Sequence, residues 1–328
     1  MNTGCNARCR ACEIWRQKIG SRLQADEIAS WAPGWRRLGI GRIELCGEPT
    51  IHPQLETIID GLRTHGFTLN ILSNGLRLQP YLSQIREQAE SLTVSLDGPP
   101  EIHDWIRGVA NAFDRTEKNV RALRSSSPTF PIYGRCAVNR ENLRYLNETV
   151  ETAKKIGLTN ISFCRLDTDT AAFGREQLEN DDWSERLGAL SLQIADTPLV
   201  DAVLDRLEAV HQDDFDSRYI VESPRMLRWQ LSPALVTHAN SGLTRGLRCN
   251  APLMSVVVEP NGDVKPCWFL PAYGNLRKDS LERILDCAEA KSFRANLDVE
   301  RNRVCQTCIT PRVFDDAGNF QRGFPTQG

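Results

Sequence analysis

Between residues 42 and 166 the chain alternates strand-like and helix-like segments, and this alternation limits its fold more than any other feature. RIELC (42–46), LNILS (69–73), LTVSLD (92–97), IYGRCAVN (132–139) and ISFCRL (161–166) read as short buried strands. Helical patterns lie between them. In 53–65, Leu55, Ile58, Ile59 and Leu62 recur at i, i+3, i+4 and i+7 behind Pro53. In 142–156, Leu143, Leu146, Val150 and Ala153 share a face, and Gly157 supplies the stop. Repeated β–α units require parallel strands with helices outside. Their loops gather at one rim, where such folds place their chemistry.

At the very start, Cys5, Cys9 and Cys12 form C-x3-C-x2-C, with no further Cys or His before Cys46. Structural zinc wants four closed ligands, commonly paired C-x2-C units. Three thiolates on a short loop can instead hold three irons of a [4Fe–4S] cube and leave the fourth open. An unsaturated iron suits substrate activation better than structure. The chain has 11 cysteines in 328 residues, without the apolar core of a signal peptide in 1–20. A cytoplasmic location is the default, and reducing conditions there argue against a disulfide framework.

C-x3-C-x2-C at the head of a β/α chain resembles the motif of the radical S-adenosylmethionine (SAM) enzymes. CGEPTIHP (46–53) is similar to that family's GGEP segment, whose backbone binds the amino group of SAM. SNG (73–75), SLDGPPEIHDWIRG (95–108) and VNRENL (138–143) follow in the family's order. The resemblance implies a partial (β/α)6 TIM-like barrel, SAM contacts at Gly47, Glu48, Pro49, Ser73, Asn74, Ser95 and Asp97, and an open-iron [4Fe–4S] cluster at Cys5, Cys9 and Cys12. Three departures stand out. Ala11 occupies a position that is usually aromatic, and Trp15 is offered as its replacement. Cys46 stands at the first Gly of GGEP and reads as a packed thiol. Only Met1–Gly4 precede Cys5, so the family's first strand is either vestigial or lies upstream.

Residues 168–247 are rich in acids and leucine and read as helical. Val200, Val203, Leu204, Leu207 and Val210 make one stripe, and SPRMLRWQL opens another helix. From Cys249 the pattern changes. SVVVEPNGDVKPC reads as a hairpin turning at Asn261-Gly262. Cys249, Cys267, Cys305 and Cys308 then form a four-thiol set, which tetrahedral zinc would satisfy as well as a cluster. Their spacing resembles the auxiliary-cluster domain called twitch, a cut-down SPASM domain, and implies one auxiliary [4Fe–4S] cluster fully held by protein. The expected organisation is therefore a radical SAM core at 1–167, a helical linker at 168–247, a hairpin-plus-helix auxiliary domain at 248–310 and a poorly ordered polar tail at 311–328. Cys136 and Cys164 read as core packing, and Cys164, near the C-terminal end of its strand, is the candidate to return a hydrogen atom to a substrate radical. Cys287 reads as structural.

A formal net charge of −2 and 25% charged residues imply no attraction to nucleic acid or anionic membrane, and the apolar runs are short for a membrane span. The resemblance implies reductive cleavage of SAM to a 5′-deoxyadenosyl radical, hydrogen abstraction from substrate and an external one-electron reductant such as flavodoxin or ferredoxin. An auxiliary cluster favours net oxidation. The expected substrate is a small polar metabolite such as a sugar or aminocyclitol. A peptide-modifying enzyme and a non-catalytic iron–sulfur or zinc protein are the alternatives.

Overall fold

The computed structural model describes residues 1–17, 20–168, 170–177, 182–237, 248–315 and 320–322. Five parallel strands, β1 (Arg42–Leu45), β2 (Thr68–Ser73), β3 (Ser91–Ser95), β4 (Ile132–Val138) and β5 (Asn160–Arg165), form one sheet in sequential order. Each lies within a residue or two of its expected bounds. Helices α1 (Ala25–Arg37), α2 (Leu55–Thr64), α3 (Leu82–Gln88), α4 (Pro100–Arg107), α5 (Ala112–Ser126) and α6 (Leu146–Ile156) alternate with them.

Period-two alternation gives the sheet two unlike faces. Leu69, Ile71, Leu92, Val94, Ile132, Val138, Ile161 and Phe163 are buried in one continuous core with Ile58, Ile59 and Leu62 of α2 and Val150 and Ala153 of α6. Each such side chain contributes roughly 1.5–3 kcal/mol on full burial. The alternate residues are largely polar, and the register sets them in rows across the strands: Glu44–Asn70–Ser91 and Ser95–Arg135–Ser162. This polar face is the concave lining of the open barrel.

The sheet reaches beyond residue 167. After α7 (Asp182–Leu190), α8 (Thr197–Val210) and α9 (Gln212–Asp216), the chain returns to β5. There Ile161 N–H donates to the Tyr219 carbonyl (2.8 Å), Val221 N–H donates to the Ile161 carbonyl (2.9 Å), and Ile220 bridges Ile161 in parallel. The region read as a helical linker thus supplies the sixth strand position before α10 (Pro224–Leu231), which Ser223 caps. The stretch Trp183–Val210 is long and apolar enough to cross a membrane by composition. It is broken at 191–193, and Val200, Leu204 and Leu207 of α8 lie in the barrel core.

The C-terminal part is a small antiparallel sheet, β6 (Val257–Val258), β7 (Asp263–Lys265) and β8 (Gly274–Asn275). The β6–β7 turn falls at the expected place, with Gly262 at φ +89°. The described part of the tail contains a strand pair. β9 (Arg312–Phe314) pairs with β10 (Phe320–Arg322), and Asn250 fastens β9 by side-chain bonds to both the N–H and the carbonyl of Phe314 (2.7 Å each). Residues 316–319 and 323–328 lie outside the described set.

Candidate radical and auxiliary cluster sites

The cluster loop is built before any metal is considered. Cys12 N–H donates to the Cys9 carbonyl (3.3 Å), and the N–H groups of Arg8 and Arg10 donate to the carbonyls of Arg107 and Ile106 at the end of α4 (3.0 Å each). From the opposite side, the loop after β5 closes over it. Glu13 N–H donates to the Phe173 carbonyl (2.9 Å), and Arg175, fully buried against Asp167, donates to the Ala11 carbonyl (3.4 Å). At the usual aromatic position, Ala11 packs against the cluster of Leu166, Leu187 and Leu190, on which Trp183 also packs. Trp15 instead donates its indole N–H to the Cys9 carbonyl (3.3 Å).

Three donors already face the thiols. Ala7 N–H and Asn74 Nδ2 each lie 3.4 Å from Cys5 Sγ, and Arg107 Nη1 lies 3.7 Å from Cys9 Sγ. Burial pushes the Cys5 thiol up to about 11, and burial together with the neighbouring Cys9 and Cys5 pushes Cys12 up to about 12. Three close thiols of this kind stay protonated alone and ionise when a cationic group draws them together, so the donor set fits an iron–sulfur cluster.

Glu48 joins the GEP segment to the end of β2. It adopts a left-handed conformation (φ +53°) and is buried. Its carboxylate accepts from Thr50 Oγ1, Thr50 N, Ser73 Oγ (2.9 Å) and Asn74 N (2.7 Å). Burial raises its pKa, and these four bonds oppose the rise. Gly47, at φ +72°, brings bare backbone to the rim beside Asn2 and precedes Pro49, which opens a short turn of 3-10 helix. Asp97, expected among the SAM contacts, is buried. Both its carboxylate oxygens are engaged within the chain, one by Ala137 N–H (3.0 Å) and one by Arg107, so it holds the arginine that touches Cys9. Ser95 lies on the polar face beside Arg135.

The four remote cysteines also converge. Burial raises Cys267, Cys305 and Cys308; Cys249 adds to all three, Cys267 adds to Cys305 and Cys308, and Cys305 adds to Cys308. Asn302 accepts from the N–H groups of Val304 and Cys305 (3.0 and 3.2 Å), which fixes the Cys305 backbone, and Thr310 N–H lies 3.4 Å from Cys308 Sγ. A tetrahedral zinc with Zn–S near 2.3 Å would hold its sulfurs within about 4 Å of one another. Among the described residues no three Cys, His, Asp or Glu are grouped to hold one ion.

Arg135 of the polar face and Arg165 at the end of β5 hold this loop. Arg165 Nη2 donates to the Thr307 carbonyl (2.8 Å), and Arg135 Nη2 donates to Thr310 Oγ1 (3.2 Å). The residue reading missed both, as it missed Arg107 and the Arg175–Asp167 pair. Only Arg107 carried a signal, as part of the SLDGPPEIHDWIRG segment. Cys164 is buried, its Sγ 3.6 Å from the Cys136 carbonyl; burial raises its pKa and the Arg135 guanidinium opposes this. Cys136 lies in the core. Cys287 separates the helices Leu281–Asp286 and Ala288–Asn296 and caps the second, accepting from Ala290 N–H (3.4 Å).

Comparison with known proteins agrees with this geometry. The model of the radical SAM superfamily matches residues 1–156, and that of the SPASM iron-sulfur cluster-binding domain matches residues 249–309. The chain carries a radical SAM domain and a C-terminal SPASM domain. Its cofactors are accordingly a SAM-binding [4Fe–4S] cluster, SAM and an auxiliary iron–sulfur cluster. An AdoMet-dependent heme synthase of Methanosarcina barkeri is 24% identical over 100% of this chain and 91% of its own length. The subtilosin biosynthesis protein AlbA of Bacillus subtilis is 21% identical over 86% of this chain, which spans 57% of AlbA. Among solved structures, Streptococcus suis SuiB bound to the precursor peptide SuiA shares the fold, with a TM-score of 0.64 and 14% identity over 94% of this chain and 69% of that one.

Proposed function

We propose that this radical SAM enzyme abstracts a hydrogen atom from a small polar metabolite, such as a sugar or aminocyclitol, and completes a net oxidation. Cys5, Cys9 and Cys12 would hold the SAM-binding cluster, and Cys249, Cys267, Cys305 and Cys308 the auxiliary one. Together the bound groups supply reductive cleavage of SAM, a 5′-deoxyadenosyl radical and an acceptor for the second electron. The residues around them bind and orient. The 47–49 backbone, Ser73, Asn74 and Ser95 line the space for SAM, while Asp97 acts through Arg107.

The observation that carries the substrate class is the polar face between the two cysteine sets. Glu44, Asn70, Thr93, Ser95, Arg135 and Ser162 present hydrogen-bonding groups where the opposite face of the same strands is aliphatic. Glu44 is exposed and the other five are half-buried; polar groups shielded in part from water favour polar partners, which supports a hydroxyl- or amine-bearing substrate. Net oxidation removes one hydrogen atom, then one electron and one proton, and returns nothing to the substrate. Cys164 is the thiol placed for the other outcome, hydrogen return, in a redox-neutral reaction.

A second reading has its own support. A relative similar over this chain's whole length is named a heme synthase, and the fold is shared with SuiB bound to a precursor peptide. Anaerobic reconstitution decides between them. We expect about eight irons per chain, from two four-iron clusters, and 5′-deoxyadenosine formation on adding SAM and reductant, stimulated by sugars or aminocyclitols. Stimulation only by peptides or tetrapyrroles overturns the substrate class. A preparation that binds only zinc overturns the radical chemistry.

A further inference from the structure

The outer side of the cluster loop carries a charge pattern that the site itself does not use. Arg8 and Arg10 flank Cys9 and are exposed. The Arg10 guanidinium lies 3.8 Å over the Trp105 ring, which is 39% exposed, and Arg10 Nε donates to the Trp105 carbonyl (3.1 Å). On the adjoining side Leu76 packs with Ala7, Cys5 and Cys9. Exposed Arg77 follows it, and exposed Arg115 donates to the Leu76 carbonyl (3.0 Å). Among the described residues, the nearby ion pairs include Arg16–Glu13, Arg186–Glu13, Arg107–Asp97, Arg175–Asp167 and Arg121–Glu117, and these four arginines join none of them. Asp104 is turned inward to Phe113 N–H (2.7 Å), which leaves Glu101 and Asp114 as the exposed acids nearby. Four exposed arginines outside those ion pairs, Arg8 and Arg10 on the loop and Arg77 and Arg115 beside Leu76, which packs on that loop, therefore stand out on a chain whose net charge is −2.

We infer that this patch is the docking surface for an acidic protein that carries one electron. The inference rests on the proposed radical chemistry, which needs an electron from outside delivered at Cys5, Cys9 and Cys12. A carrier seated on Arg8, Arg10 and Trp105 comes within one residue of Cys9. It leaves oxidised by one electron, and no bond is made or broken. Unpaired surface cations steer an acidic partner and favour fast association. An exposed aromatic gives a small interface its anchor.

The test uses Arg8→Glu/Arg77→Glu in the reconstituted protein, with Arg206→Glu/Arg225→Glu on α8 and α10 as a control of equal charge change. An acidic flavodoxin with its reductase is one electron source, and reduced methyl viologen, a small cation, is the other. We expect the rate of cluster bleaching by flavodoxin at low salt to fall roughly ten-fold or more in the first variant. Its salt dependence should flatten, and flavodoxin binding should weaken in parallel. Bleaching by methyl viologen, iron content and the control variant should match the parent. Equal slowing with both reductants, no slowing with either, or the same loss in the control overturns the docking surface. Should the double variant fail to hold iron, Arg77→Glu alone, off the loop, must still slow flavodoxin selectively. If the parent is bleached by both reductants yet makes no 5′-deoxyadenosine, the radical chemistry fails and the docking result stands by itself.

Discussion

Arg107 shows how one side chain serves two ends of the site. Its guanidinium pairs with Asp97 and touches Cys9 Sγ, and its carbonyl receives Arg8 N–H. Burial disfavours its charge, yet Asp97 and Cys9 outweigh burial and raise its pKa further. Asp97 is 1% exposed, so removing the partner strands a carboxylate in a dry site. Arg107→Ala should therefore cost roughly 3–5 kcal/mol, read as a large drop in Tm. Arg107→Lys keeps the charge but not the fork, and should lose less. A Tm equal to the parent's in Arg107→Ala would contradict this account. Glu48 makes a parallel case. Its two oxygens accept four bonds from Thr50, Ser73 and Asn74. Glu48→Gln turns an amide N–H toward those donors, and should lower stability by about 1–3 kcal/mol on chemical denaturation at unchanged m.

At the next scale, helix α4 ends where the cluster loop begins to need support. Gly108 closes the helix at φ +63°, and a Cβ there would sit 2.3 Å from the Arg8 carbonyl. Gly108→Ala combines left-handed strain with a clash against backbone, so the loop must move. Reconstituted Gly108→Ala should retain about four of its eight irons, those of the auxiliary site, and lose the EPR signature of the N-terminal cluster. Retention of all eight would show that the loop is not seated on α4. These elements also mark what the sequence could reveal. The five strands and the stop at Gly157 were readable because burial alternates with period two and each helix has an apolar stripe. The sixth strand position was not, because it rests on a single bridge, Ile161 to Ile220, with no periodicity to find. The β9–β10 pair was hidden for a related reason: a short polar segment becomes a strand only when Asn250, far back in the chain, takes up its hydrogen bonds. The cysteines announced themselves by spacing. Arg135, Arg165 and Arg175 did not, since an isolated arginine carries no pattern until its partner is placed beside it.

Across the whole molecule, the auxiliary domain is held to the barrel at both its inner and outer sides. Inside, Arg165 and Arg135 hold the Thr307–Thr310 segment that contains Cys308. Removing the auxiliary ligands should separate the two halves of the reaction. Cys249→Ala/Cys267→Ala should keep some SAM cleavage, uncoupled from substrate, while product formation stops; product at the parent's rate would remove the auxiliary cluster from the chemistry. Outside, Arg277, just after β8, pairs with Glu27 in the first turn of α1 (2.6 Å) and donates to the Arg22 carbonyl (2.8 Å). Glu27 also closes the start of α1 by accepting from Gln24 N–H (2.8 Å). The hydrogen bond from Arg277 is the largest influence on Glu27 and holds its pKa below 4.5, against the opposing cost of burial. A carboxyl depressed in the folded state stabilises fully above its unfolded value and loses that contribution as pH falls through the folded one. The outer tie should thus be intact at neutral pH and weaken only below about 4.5. Melting the parent and Arg277→Met in parallel from pH 7 to pH 3 measures this, because both share every other titrating group. The Tm gap should stay constant down to roughly pH 5 and narrow steadily below it. A gap that is independent of pH would assign the outer tie to packing and to the Arg22 carbonyl, and not to Glu27.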